Sequence, residues 1–279
     1  MLPVAQWPAD ARRGLTGVFT DIDDTLTTDG AITPDALAAL ADLKAAGLRV
    51  VAITGRPVGW SEPFAATWPV DAIVAENGAV ALVPSPGLSS LSSPEGSQRP
   101  PAVRNLLSKL YQQDAATRAA NHARMQDVLA RIEREVPGAR RATDSAGREC
   151  DIAIDHSEFT QLSDAQIDKV VMRMRGDGMH ATVSSIHING WYGEHNKLEG
   201  ARWIVRTLWQ RALDAEMDHW CYIGDSTNDQ LMFQAFTHSI GVANIARFVP
   251  HLSQLPRYVS LAERGAGFAE VARAVLLAR

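Results

Sequence analysis

The chain has 279 residues, a net charge of −5 and 46% hydrophobic residues. That length is long for one domain and comfortable for two. The acidic balance leaves no basic excess to neutralise a run of phosphates, which argues against a nucleic-acid partner. No uninterrupted apolar stretch approaches membrane-spanning length. The arginines between Arg118 and Arg141 alternate with Asp and Glu, as on a solvated helix face. The cysteines, Cys150 and Cys221, are far apart and lack metal-ligand spacing, so buried free thiols are expected. Met1 to Arg13 contains no basic segment followed by an apolar run. A cytoplasmic protein is the expectation.

Gly17-Val18-Phe19-Thr20 reads as a short buried strand that runs directly into Asp21, Asp23 and Asp24. So much negative charge at a strand tip needs something positive upon it. The stretch is therefore either an acidic turn that caps the next segment or a metal-assisted phosphoryl-transfer site with Asp21 as nucleophile. Thr33-Pro34 is a helix start, with a hydroxyl cap and a proline whose missing N–H costs nothing there. Leu37, Leu40 and Leu43 follow at helical spacing, and Gly47 offers a left-handed stop. Leu48 to Ile53 is a second strand, ending at Thr54-Gly55-Arg56. Ala72 to Ala75 is a third, ending at Glu76-Asn77-Gly78, and Val80 to Val83 returns as a hairpin arm.

Pro84 to Pro101 is dominated by Pro, Ser and Gly and reads as a linker or excursion. Ala102 to Val136 reads as a long helical stretch, Glu149 to Asp155 as a strand, and Ser163 to Gly176 as a helix. Ala181 to Trp191 reads as one long or two short strands. This order lacks a crossover rhythm and suggests an α+β insert. From Gly193 the parallel rhythm returns. Asn196 to Leu213 is helical, and Trp220 to Ile223 is a buried strand leading into Gly224-Asp225-Ser226-Thr227-Asn228-Asp229. Leu231 to Phe236 begins a helix, Ser239 to Val242 is a strand, and Phe268 to Leu277 closes the chain with an amphipathic helix.

The expected fold class is α/β, a Rossmann-like doubly wound parallel sheet formed by residues 1–83 and 193–279, with residues 84–192 inserted as an α+β cap. Such sheets bind ligands outside the carboxyl ends of their strands. Asp21, Thr54 and Asp225 each fall at such an end, which favours the phosphoryl-transfer reading over the acidic turn.

At this point the sequence resembles the haloacid dehalogenase superfamily of phosphohydrolases. Asp21-Ile22-Asp23-Asp24-Thr25 matches its DxDxT signature, Thr54 its threonine motif, Lys197 its lysine motif and Gly224 to Asp229 its GDxxND motif. The place of the insert and Glu76-Asn77-Gly78 resemble subfamily IIB, which includes Cof-like sugar phosphatases, sucrose-phosphate phosphatase and mannosyl-3-phosphoglycerate phosphatase. In one departure, Leu198 follows Lys197 where many relatives carry glycine. The resemblance implies a Mg²⁺-dependent phosphomonoester hydrolase acting on a small phosphorylated molecule, a sugar or polyol phosphate foremost. Asp21 would be the nucleophile and Asp23 the general acid and base. Mg²⁺ would be held by Asp21, the Asp23 backbone carbonyl and Asp225, with Asn228 and Asp229 orienting that shell. Lys197, Thr54 and Gly55 would hold phosphoryl oxygens. Arg56, Asn77 and Trp191 are candidates for contact with the rest of the substrate. The rivals are a phosphomutase, for which Arg140, Arg141 and Arg148 could hold a second phosphate, a receiver-type phospho-acceptor module, and a non-catalytic sugar-phosphate-binding protein.

Overall fold

The computed structural model describes residues 1–84 and 107–279. Among these, nine strands form one sheet in the order Leu2–Pro3, Tyr258–Val259, His238–Gly241, Trp220–Gly224, Gly17–Thr20, Arg49–Ile53, Ala72–Ala75, Val80–Pro84 and Leu107–Tyr111. The first seven pair in parallel, and the last two pairings are antiparallel. From Gly17–Thr20 the chain winds outward through Arg49–Ile53 to Ala72–Ala75. It then restarts on the other side at Trp220–Gly224 and winds the opposite way. The reversal lies between Gly17–Thr20 and Trp220–Gly224, which opens a crevice at their carboxyl ends.

Helices cover both faces, so the central strands are apolar on both sides rather than alternating. Val50 and Ala52 face the helices Pro34–Ala45 and Arg264–Leu276, packing with Leu40, Leu43, Phe268 and Val271. Val51 and Ile53 face the opposite way, toward the helices Lys197–Trp209 and Gln230–Ala235, with Ile204 and Met232 in that layer. Gly17 lies under the Trp220 ring, where an added Cβ would come within 2.2 Å of ring carbon.

A second, four-stranded antiparallel sheet is ordered His180–Val183, His187–Trp191, Ile152–Asp155 and Arg140–Arg141. The helices Ala115–Glu135 and Asp164–Gly176 pack on it around Met125, Leu129, Ile154, Val170 and Met174. The latter helix opens with a capping box between Ser163 and Gln166. No described helix is long and apolar enough to cross a membrane.

Several expectations need correction. Leu107–Tyr111, read as the start of a helix in the insert, is the edge strand of the large sheet, paired with Val80–Pro84. The helix begins only at Ala115, capped by Asp114. The insert's expected boundary at residue 84 therefore misassigns a strand of the core. The Pro- and Ser-rich excursion lies largely outside the described residues. Thr33 does precede its helix, yet its hydroxyl makes no capping bond. The helix Val58–Ala65 went unread because Pro63 sits inside it.

Candidate active site

Asp21 stands one residue past its strand, tied down by its N–H donating to the Ile223 carbonyl at 2.8 Å. The neighbouring strand ends at Gly224, and Asp225 and Asp229 follow. One oxygen of Asp229 accepts the Asp225 and Ser226 N–H groups at 2.9 and 3.1 Å, and the other accepts from Lys197 Nζ at 2.6 Å and from the Tyr222 hydroxyl. Gly224 is required here, since a Cβ would meet the Asp229 carboxylate at 2.4 Å.

Lys197 is the first residue of its helix. Asn196 caps that helix, accepting from the Leu198 and Glu199 N–H groups at 2.9 and 3.0 Å, so the Leu198 departure leaves the lysine in register. Its Nζ reaches Asp21 Oδ1 at 2.8 Å and Asn228 Oδ1 at 3.4 Å. Burial alone would lower the ammonium's pKa, but Asp21 and Asp229 outweigh it and raise it. Burial lifts Asp21 to about 7 against the pull of Lys197. Asp225 is pushed well above the carboxylate range by burial, and then by Asp21 and Asp229.

Asp21, Asp225 and Asp229 bring carboxylate oxygens within 4.8 Å of one another. Asp229 spends both oxygens on the hydrogen bonds above, which suits an orienting role. Asp225 Oδ2 accepts from Asn244 at 3.1 Å, whereas Asp225 Oδ1 is buried without a hydrogen-bond partner. An all-oxygen set with one orphaned carboxylate oxygen in a crowd of negative charge fits a hard divalent cation.

Asp23 projects toward the smaller sheet. Arg56 Nε donates to both its oxygens, at 2.9 and 3.1 Å. Burial raises the Asp23 carboxyl and Arg56 opposes it. Arg56 is itself held from the other side by Glu158 at 2.9 Å and Asp144 at 3.3 Å, and Glu158 also meets His187 at 2.9 Å. Asp24 adopts a positive φ and pairs with Arg247 and Arg264. A cleft of about 460 Å³ opens here, lined in part by Asp23, Arg56, Ser157, Glu158, Phe159 and Ser185.

Thr54 is fully buried, and its hydroxyl accepts the Arg56 N–H at 3.0 Å. Asn77 lies beside this turn but points its amide at Asp151, 3.5 Å away. Trp191 is not brought to the charged cluster. It packs in the apolar layer of the smaller sheet, stacked against His180 and His195, and donates its indole N–H to the His195 carbonyl at 2.8 Å. Of the candidates for a second phosphate, Arg148 is buried between Asp144 and Asp151, while Arg140 and Arg141 are exposed. Glu158, Asp151 and Asn189 went unread, since each is an isolated polar residue whose meaning comes from the docking of the two sheets.

Residues 18–94 match the family model described as haloacid dehalogenase-like hydrolase. No curated protein matches by sequence. Among solved structures, a Thermoplasma acidophilum protein superposes with a TM-score of 0.66 at 16% identity, covering 94% of this chain and 99% of its own. The sucrose-phosphatase of Synechocystis, solved with sucrose and phosphate, gives 0.61 at 15% identity, over 94% and 98% of the two chains. A haloacid dehalogenase subclass IIB sugar phosphatase gives 0.58 at 13% identity, over 93% and 96%.

Proposed function

We propose, supported by the match of residues 18–94 to the haloacid dehalogenase-like hydrolase model, that this chain is a phosphatase of small phosphorylated molecules, sugar or polyol phosphates foremost. The observation that carries this reading is the meeting of Asp21, Lys197 and Asp225 at adjacent strand tips, with a lysine on one carboxylate and an orphaned oxygen on the other.

Asp21 attacks phosphorus in line, the P–O bond to the ester oxygen breaks, and the phosphoryl group passes to the Asp21 carboxylate. Asp23 protonates the departing alkoxide. It then takes a proton from the water that attacks the aspartyl-phosphate, which frees Asp21 and releases phosphate. Lys197 orients Asp21 and offsets charge on a phosphoryl oxygen, and the Thr54 turn holds another. Arg56 keeps Asp23 aimed into the cleft. The carboxylates of Asp21 and Asp225, with the Asp23 backbone carbonyl, would hold Mg²⁺. When bound, that ion offsets the repulsion between a carboxylate nucleophile and an anionic ester. The smaller sheet covers the site and excludes bulk water. The buried, unpaired Cys150 and Cys221 fit a reducing, cytoplasmic setting.

The test is a phosphate-release screen over sugar phosphates, glycerate-type esters and nucleotides, with and without Mg²⁺, for the wild type and Asp21→Asn. Mg²⁺-dependent release by the wild type and none by the variant is expected. Near-wild-type release by folded Asp21→Asn would overturn the nucleophile. An isomerised hexose phosphate in place of free phosphate would indicate a mutase.

A further inference from the structure

The three carbonyls of the Thr54-Gly55-Arg56 turn are each held from behind. The Asn77 N–H donates to the Thr54 carbonyl at 2.9 Å and the Glu76 N–H to the Arg56 carbonyl at 3.0 Å, both from the large sheet's own strand end. The middle carbonyl, of Gly55, accepts instead from two side chains of the smaller unit, Arg148 Nη1 at 3.0 Å and Asn189 Nδ2 at 3.3 Å. A peptide unit is planar and trans, so fixing the Gly55 C=O also fixes the direction of the Arg56 N–H. That N–H donates to Thr54 Oγ1 at 3.0 Å. The orientation of the Thr54 hydroxyl is therefore set through Gly55 by residues 93 and 134 positions further along the chain.

Neither donor is loosely placed. Arg148 is 4% exposed and Asn189 1%. Both also bind Asp151, at 2.8 and 3.0 Å, and Arg148 pairs with Asp144 at 3.0 Å. The backbone beneath them is clamped by the Glu76 carboxylate. It accepts the Val58 N–H from the large-sheet side and those of Glu149, Cys150 and Asp151 from the other. Close by, Gly59 and Gly147 meet back to back, where a Cβ on Gly59 would lie 2.9 Å from Gly147 Cα.

We propose that Arg148 and Asn189 are positioning residues for the phosphate-holding turn, so that the smaller unit completes the anion site rather than only covering it. The inference rests on the phosphatase reading to the extent that the Thr54 turn holds the phosphoryl group. A unit that swung away would take both donors off Gly55, so the turn is fully formed only while that unit is docked.

The experiment titrates inorganic phosphate calorimetrically, in the presence of Mg²⁺, into the full-length wild type, Asn189→Ala and Arg148→Lys. Ester turnover and thermal unfolding are followed in parallel. The lysine keeps a charge between Asp144 and Asp151 but cannot fork to Gly55 as well. The Kd for phosphate should rise about tenfold in each variant, the size of one lost buried hydrogen bond. A lowered melting temperature with unchanged phosphate affinity is the mark of a merely structural role and would overturn the inference. If Arg148→Lys does not fold, Asn189→Ala decides alone, and unchanged affinity in that variant is equally fatal. A wild type that binds phosphate yet releases none from any ester defeats the phosphatase reading and leaves this one to the variants. A wild type that releases phosphate from esters but shows no phosphate binding keeps the phosphatase reading and defeats this inference.

Discussion

Lys197 is the residue on which the charge balance of the site turns. Its ammonium lies between Asp21 at 2.8 Å and Asp229 at 2.6 Å, and all three are buried. Replacing it with methionine keeps most of the volume and removes the positive charge that pairs directly with the two carboxylates. Breaking such a buried pair costs about 3–5 kcal/mol. Lys197→Met should therefore unfold at markedly lower denaturant and lose turnover even where it remains folded. Wild-type stability by urea titration would contradict the arrangement. Asp23 makes a different demand. A general acid matters most when the leaving group is a poor one, so Asp23→Asn should lose about 10²–10⁴ in kcat on a sugar phosphate. On p-nitrophenyl phosphate, whose leaving group departs without a proton, the loss should be far smaller. Equal losses on both substrates would remove Asp23 from the acid role.

At the scale of elements, the lysine is placed by a contact between backbones. The helix that begins at Lys197 runs past the Glu76–Gly78 turn so closely that a Cβ on Gly200 would lie 2.6 Å from Gly78 Cα. Gly78, at φ +108°, has the Asn196 carbonyl against it. Gly200→Ala must push the helix outward, at a cost of about 1–3 kcal/mol for an overpacked contact, and Lys197 moves with it. Turnover should fall along with stability in that variant. Gly176→Ala, at a helix end with nothing within 4 Å, should change neither. Elements of this kind were legible in the sequence when one strong local pattern decided them. Apolar runs stopping at Asp21, Thr54 and Asp225 announced both the strands and the carboxyl ends at which the candidate site lies. The edge strand Leu107–Tyr111 was missed because its side chains are only half-buried and carry no clean alternation. The pairs Leu2–Pro3 and Tyr258–Val259 are too short to leave any period. The turn at Glu76 and Asn77, both at positive φ, follows from the contacts that hold it rather than from its own residues.

At the scale of the whole molecule, the two larger sheets are locked together by buried polar groups, and that half of the site was not legible. Arg148, Asp151, Glu158 and Asn189 look like ordinary polar residues until the smaller sheet is docked on the larger. One contribution to acid sensitivity comes from a histidine two residues before Lys197. His195 is buried against Trp191, its Nε2 lacks a hydrogen-bond partner, and burial, helped by His180, lowers its pKa to about 4. In the unfolded chain the same ring titrates near its ordinary value of 6.5. Its contribution is therefore intact above about pH 6.5 and declines as the pH falls toward 4, where the unfolded state binds a proton that the folded state refuses. The total is about 3 kcal/mol for one such histidine. A second loss follows at lower pH. Burial disfavours the charged form of Glu158, but hydrogen bonds from His187 and Arg56 outweigh it and bring the carboxyl to about 2. Its share is present above about pH 4.5 and lost toward pH 2. Urea titrations of the wild type and His195→Gln from pH 7 to pH 3 isolate the ring's share as a difference, because buried Asp21, raised to about 7, works in the opposite direction over the upper window. His195→Gln, which cannot titrate, should lose about 3 kcal/mol less than the wild type across that window, with the lower decline left in place. An unchanged slope between pH 6.5 and pH 4 in the variant would mean that the ring is protonated without penalty in the folded protein, contrary to its burial.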